Sequence, residues 1–227
     1  MPTPYLEALT IEPQQKALAS VIFMHGLGAD GHDFAPVVPQ FNQYSKLPIR
    51  YIFPHAPLRS VTLNAGYMMR AWYDIYGLEH GTVQDVKGIT TTATAIEHLI
   101  AAELAKGIPT NKIVLAGFSQ GGAIALHTGL RYPARLGGII GLSTYLPVAD
   151  HLANEAHAAN KKTPIFLGHG DADPIIPLTW GNMTHQHLLD LHYSVSWHRY
   201  AMMPHSVCPQ EIIDIGTWLH NVLTTEE

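Results

Sequence analysis

Cys208 is the single cysteine in a chain of 227 residues, so no internal disulfide can form and nothing argues for an oxidising compartment. Charge is also scarce, at 14% of residues, and no run of Lys or Arg is dense enough to follow a phosphate backbone, so nucleic acid is not an expected partner. The formal charge of −5 comes from 13 basic and 18 acidic residues, a mild balance. No apolar run approaches the ~20 residues that a membrane span needs. The segment Met1-Pro2-Thr3-Pro4-Tyr5-Leu6-Glu7 has neither a basic nor an apolar region of the kind a secretory signal carries. The expectation is a cytoplasmic protein without integral membrane contact.

What the chain does have is aliphatic residue, in short runs along its whole length. Hydrophobic residues make up 47%, enough for one sizeable core, and residues 1–227 are expected to form a single domain. Strand-length apolar runs at 19–24, 50–53, 112–116, 138–142, 164–168 and 194–200 alternate with helical patterns, the signature of an α/β fold with a mostly parallel sheet and helices on both faces. Ile89, Ala93, Ile96, Ile100 and Leu104 return every three or four positions and mark a helix over 89–106, which Gly107 and Pro109 stop. Further helices are predicted from Gly121 towards Arg131, over 178–191 and over 209–223. Residues 5–11 read as an antiparallel edge strand. The stretch 54–81 holds Gly, Pro, Met68, Met69, Trp72 and several Tyr with no sustained period, and a long irregular loop in a compact domain suggests function.

Gly117-Phe118-Ser119-Gln120-Gly121 matches G-x-S-x-G directly after a predicted strand and before a predicted helix. A sharp reversal there strains the central residue and crowds the positions two before and two after it, which only glycine tolerates. Ser119 is thereby held at the tip of the turn as a candidate nucleophile. A serine hydroxyl needs a base, and position selects one from 15 histidines. His205 follows the strand at 194–200 and precedes the last helix, whereas His169 lies where an acid is expected. His98, His127, His185, His187 and His220 fall inside helical patterns. Two aspartates compete for the acid in Gly170-Asp171-Ala172-Asp173-Pro174. Asp173 precedes proline on a rigid turn, while Asp171 could brace that turn instead.

The oxyanion of an acyl-transfer intermediate needs N–H donors, one expected from Gln120 and one from the loop after an early strand. His25-Gly26-Leu27-Gly28-Ala29-Asp30-Gly31 is such a loop. Its glycines fit a dinucleotide fingerprint only if shifted, and Arg50-Tyr51-Ile52-Phe53 ends in Pro54-His55 rather than an acidic residue. No metal or organic cofactor is expected: zinc-binding spacings are missing, and His185 and His187 would point to different faces of a helix. Cys208 occupies no elbow and reads as a packing residue.

With these motifs in order, the sequence resembles the phospholipase/carboxylesterase family, which includes carboxylesterases and acyl-protein thioesterases. The resemblance spans about residues 20–219. It rests on His25-Gly26-Leu27-Gly28-Ala29-Asp30-Gly31-His32-Asp33-Phe34, Pro54-His55-Ala56-Pro57, Trp72-Tyr73-Asp74-Ile75, the Ser119 motif with Gly122, the Asp171–Asp173 motif and His205. It implies an α/β-hydrolase fold, a catalytic triad of Ser119, Asp173 and His205, and Asp173 rather than Asp171 as the acid. It further implies an oxyanion hole at Leu27 and Gln120, and a flap at about 54–81 over an acyl channel with Met69, Trp72 and Ile176 as substrate-binding side chains. Tyr73 stands where Phe is common in the family, and Met68-Met69-Arg70-Ala71 where a small-residue and Pro stretch is common. The implied activity is hydrolysis of short to medium acyl esters or thioesters, on small molecules or acylated proteins. A lysophospholipase and a non-catalytic binding protein of the same fold are the alternatives, and a homodimer is an assembly known in the family.

Overall fold

The computed structural model describes residues 6–77 and 81–225. Seven strands form the main sheet: β1 (Ala8–Ile11), β2 (Ala19–Met24), β3 (Ile49–Pro54), β6 (Ile113–Phe118), β7 (Gly138–Leu142), β8 (Ile165–Gly170) and β9 (Val195–Tyr200), in the order β1-β3-β2-β6-β7-β8-β9. Every neighbouring pair is parallel except β1 on β3, which runs antiparallel at the edge. The expected edge strand is therefore present over 8–11, while its Tyr5 lies outside the described residues.

Alternation along the strands builds two cores. Ile22 and Met24 of β2 and Ile113 and Leu115 of β6 face one side, against α2 (Val86–Ala105) and α3 (Gln120–Arg131). Val21, Phe23, Val114 and Ala116 face the other, where Phe41 of α1 (Val38–Ser45) and Ile212, Ile215 and Trp218 of α6 (Pro209–Thr224) close over them. The central strands β2, β7 and β8 are buried throughout, as their unbroken apolar runs require. The last strand, β9, does not follow that expectation. It is the open edge, and most of its residues are partly or fully exposed.

The helices expected at 89–106, 178–191 and 209–223 are observed as α2, α5 (Leu178–Asp190) and α6. Two shorter ones, α1 and α4 (Ala149–Glu155), carry no comparable signal in sequence. In α1 the polar Gln40, Asn42 and Gln43 interrupt the apolar residues, and Val38, Phe41 and Ser45 alone are buried. The stretch expected to be irregular contains a regular hairpin: β4 (Leu58–Val61) pairs antiparallel with β5 (Tyr67–Arg70) in a separate two-stranded sheet. Its strands are four residues long, too short for an alternation to show in sequence. Residues 78–80 of that stretch lie outside the described residues.

The connection between strands steps to one side of β2 at β3 and then to the other side at β6. In open α/β sheets, loops that leave the carboxyl ends of two such strands diverge and open a crevice between them. The loop after β2 carries His25–Gly31, and the turn after β6 carries Ser119. The fold thus brings two segments distant in sequence to one point, with Met24 paired to Gly117 at the strand ends.

Candidate active site

Ser119 sits between β6 and α3 at φ 52°, ψ −120°, a conformation that costs an L-residue free energy and is kept only where the surroundings enforce it. They do so here through the backbone. The Ser119 N–H donates to the Leu142 carbonyl at 2.8 Å, and the Ser119 carbonyl accepts the Thr144 hydroxyl at 2.7 Å and the Ala123 N–H at 3.1 Å. A Cβ on Gly117 would lie 2.2 Å from the Gly121 carbonyl carbon, and one on Gly121 would lie 2.1 Å from the Met24 carbonyl oxygen. The crowding expected across the motif is therefore real at Gly117. At Gly121 it comes from the neighbouring strand β2, a long-range approach that the motif does not reveal.

His205 lies in the loop after β9. Its Nδ1 is 2.7 Å from Asp173 Oδ2, and Asp173 Oδ1 accepts the backbone N–H groups of Ile175 and Ile176 at 2.8 and 2.9 Å. The Asp173 side chain is fully enclosed, while that of His205 keeps 17% of its exposure. Asp171 points elsewhere: it accepts the Met202 N–H at 2.7 Å and an Arg199 N–H at 3.1 Å, bracing the two loops against each other. His169, the rival histidine, is buried beside Asp173 with its Nε2 2.8 Å from the Ile176 carbonyl and 3.6 Å from Asp173 Oδ2. Burial holds its pKa below the usual range, so it is a neutral ring that donates to the Ile176 carbonyl and fixes the acid's loop.

A cavity of about 360 Å³ joins these groups, lined among others by Leu27, Phe118, Ser119, Gln120, Ile176 and His205. Of the expected substrate-binding side chains, Ile176 reaches it. Met69 and Trp72 are not among its described lining residues. Met69 lies on the hairpin, its sulfur 3.4 Å from Asn64 Nδ2 and next to Gly28. Trp72 is fully buried beneath the site as a tether. Its indole N–H donates to the His25 carbonyl, its backbone N–H donates to Gln120 Oε1, and Gln120 Nε2 donates to the Tyr73 carbonyl, each at 2.8 Å.

The loop after β2 is held from both ends. His25 Nδ1 donates to the Gly26 carbonyl at 2.7 Å, and its Nε2 accepts the Ala56 N–H at 3.0 Å. Burial pushes the His25 pKa down to about 4, which keeps the neutral tautomer that both bonds require. Gly28 N–H donates to the Arg70 carbonyl at 2.9 Å, coupling the loop to β5. Sequence reasoning missed Leu63, Asn64, Ile75, Tyr145 and Ile175 in the cavity wall. They come from four separate segments and share no motif.

Asp30, His32 and His55 bring one potential ligand atom each within 4.8 Å of one another beside this loop. Their bonds are already committed. The Gly31 N–H donates to His55 Nδ1 at 3.1 Å, which leaves the ring proton on Nε2, and Asp30 Oδ1 accepts both the N–H and the ring of His32. His55 could take a cation on Nε2 only by giving up the Gly31 bond.

Comparison with known proteins gives the family and the fold. The family model described as Phospholipase/Carboxylesterase matches residues 6–223. "Acyl-protein thioesterase 1" of Yarrowia lipolytica is 38% identical over 220 residues, covering 95% of this chain and 97% of the relative. The protein of the same name from Neurospora crassa is 40% identical over 209 residues, covering 88% and 85%. Among solved structures, Arabidopsis thaliana SOBER1 superposes with a TM-score of 0.86 at 28% identity over 91% of this chain and 99% of that one. Zea mays acyl-protein thioesterase 2 gives 0.86 at 26% identity over 96% and 100%. The chain belongs to the phospholipase/carboxylesterase family and carries its α/β-hydrolase fold.

Proposed function

We propose that this chain is a serine hydrolase that cleaves carboxylic esters or thioesters of short to medium acyl chains, with Ser119 as nucleophile, His205 as base and Asp173 as the acid that orients it. One observation carries the assignment: Ser119, strained at the strand-to-helix turn, and a His205 bonded to enclosed Asp173 line the same cavity. The relatives' names support acyl substrates, including acylated proteins.

In this reading His205 Nε2 takes the Ser119 hydroxyl proton as Oγ bonds to the acyl carbon. The carbonyl electron pair moves onto oxygen, where the backbone N–H groups of Leu27 and Gln120 stabilise it. As the intermediate collapses, the bond to the leaving alkoxide or thiolate breaks and His205 returns the proton to it. Water, deprotonated by the same histidine, then attacks the acyl-enzyme, and Ser119 recovers its proton. Asp173 keeps Nδ1 protonated throughout and stabilises the imidazolium.

The whole chain acts as one hydrolase domain in this proposal, with the stretch at about 54–81, which contains the β4–β5 hairpin, as its flap. The single cysteine supports a cytoplasmic setting. Exposed Leu58, Tyr67 and Met68 on the hairpin support a homodimer. Incubation with a fluorophosphonate followed by peptide mass spectrometry tests the nucleophile. The adduct is expected on Ser119 alone, and labelling at another serine, or none at all, would remove Ser119 from this role.

A further inference from the structure

A second cavity, of about 400 Å³, adjoins the first. Its wall is mixed: Val83, Leu146, Trp180 and Met183 stand beside Asp150 and His187. Tyr73, Ile75 and Tyr145 line both cavities. The hydroxyls of Tyr73 and Tyr145 are hydrogen-bonded to each other at 2.8 Å, so one bond joins two residues of the wall that the spaces share.

We propose that the Tyr73–Tyr145 pair is a latch that sets acyl chain length, holding ordinary substrates to the catalytic cavity and admitting longer aliphatic chains into the second cavity only when it parts. The inference rests on the hydrolase reading and adds the residues that set its specificity. Three features make the pair a latch and not a fixed wall. The Tyr73 main chain is anchored, its carbonyl bonded by Gln120, so parting the pair needs side-chain rotation only. Tyr145 is half-buried and meets Trp180 edge-on at 5.2 Å, with ring contacts of its own to turn against. Burial raises the pKa of both phenols, so both stay neutral and the bond persists over the working pH range.

The energetic logic is asymmetric. A chain that ends within the first cavity leaves both hydroxyls paired. A longer one must separate two enclosed hydroxyls, each then without its partner, and only further burial of methylene groups offsets that. Removing either hydroxyl abolishes the bond in advance and frees both rings to swing.

The test is a series of p-nitrophenyl esters from four to sixteen carbons on wild type, Tyr73→Phe, Tyr145→Phe and the double variant. The quantity read is the ratio of kcat/KM for long over short chains, so that any general loss cancels. Each single variant is expected to raise the ratio roughly two- to tenfold, the range set by one buried hydrogen bond. The double variant should rise no further, since both changes remove the same bond. Adding Met183→Trp to fill the second cavity should return the ratio to the wild-type value. An unchanged or lowered ratio in both Phe variants overturns the latch, and a rise that survives Met183→Trp overturns the second cavity as the destination. Calorimetric titration of octanoate and hexadecanoate into the same proteins reads the latch without turnover: the Phe variants should gain affinity for hexadecanoate alone. Wild type inert towards every ester would count against the hydrolase reading, with the titration still deciding the latch.

Discussion

Asp173 presents one carboxylate oxygen to His205 Nδ1 at 2.7 Å and the other to the N–H groups of Ile175 and Ile176. The carboxylate is thus locked by its own loop before it orients the imidazole. Replacing it by Asn keeps the shape but can turn an amide N–H towards Nδ1, which would move the ring proton to Nε2 and remove the acceptor for the serine proton. Asp173→Asn should lower kcat by roughly three to four orders of magnitude, the loss known for the same change in a serine protease triad. Steady-state ester hydrolysis measures it, and a loss under tenfold would mean that Asp173 does not serve as the acid.

The strain at Ser119 makes a prediction about stability. Glycine reaches φ 52°, ψ −120° with little cost, whereas any residue with a Cβ pays roughly 1–3 kcal/mol there. Part of that gain is lost to the greater freedom of glycine in the unfolded chain. Ser119→Gly should therefore be more stable than Ser119→Ala by about 1 kcal/mol, or roughly 2–4 °C in Tm for a domain of this size. Both are expected to be inactive. Urea unfolding compares the two variants, and an alanine variant more stable than the glycine one would show that the elbow is relaxed.

Two buried groups should pull the pH dependence of stability in opposite directions. His127, enclosed on α3, is pushed down to about 4 by burial, so the unfolded chain binds its proton more tightly. Stability from this group is whole above the unfolded value of ~6.5 and falls as the pH drops from there to about 4, by roughly 3 kcal/mol in all. Glu211 at the start of α6 is pushed up to about 8 by burial and by Asp214. Its contribution is whole below ~4.5, declines as the pH rises and is gone above about 8, a swing of several kcal/mol. The two slopes cancel between about pH 4.5 and 6.5, so unfolding free energies should be level there and fall from about 6.5 to 8. His127→Leu should let the fall begin near pH 4.5, Glu211→Gln should remove the fall and leave a rise up to about 6.5, and profiles unchanged in these variants would reject the assignment.

Much of this was legible in sequence, for physical reasons that differ by element. Strands β2, β6, β7 and β8 are covered on both faces, so their apolar runs announce them. The elbow follows an apolar strand and precedes a helix, so its motif announces Ser119, although Gly121 is required by β2 and not by the motif itself. The choice between Asp171 and Asp173 was a different matter: both sit on one turn, and each side chain's direction depends on Arg199, Met202 and His205, which arrive from another strand. Trp72 shows the same limit. A large aromatic in the flap read as pocket wall, yet its partners His25 and Gln120 draw it under the site. The Tyr73–Tyr145 bond joins residues 72 positions apart, and no spacing within either segment points to it.

Hydrolysis of p-nitrophenyl butyrate by wild type and Ser119→Ala separates a nucleophile at position 119 from every other arrangement. Wild type should release a burst of p-nitrophenol equal to the enzyme concentration, followed by steady turnover, and Ser119→Ala should lose both. Steady hydrolysis in Ser119→Ala at more than about a thousandth of the wild-type rate, well above the residual expected without the nucleophile, would place the nucleophile elsewhere and contradict the site described for this chain.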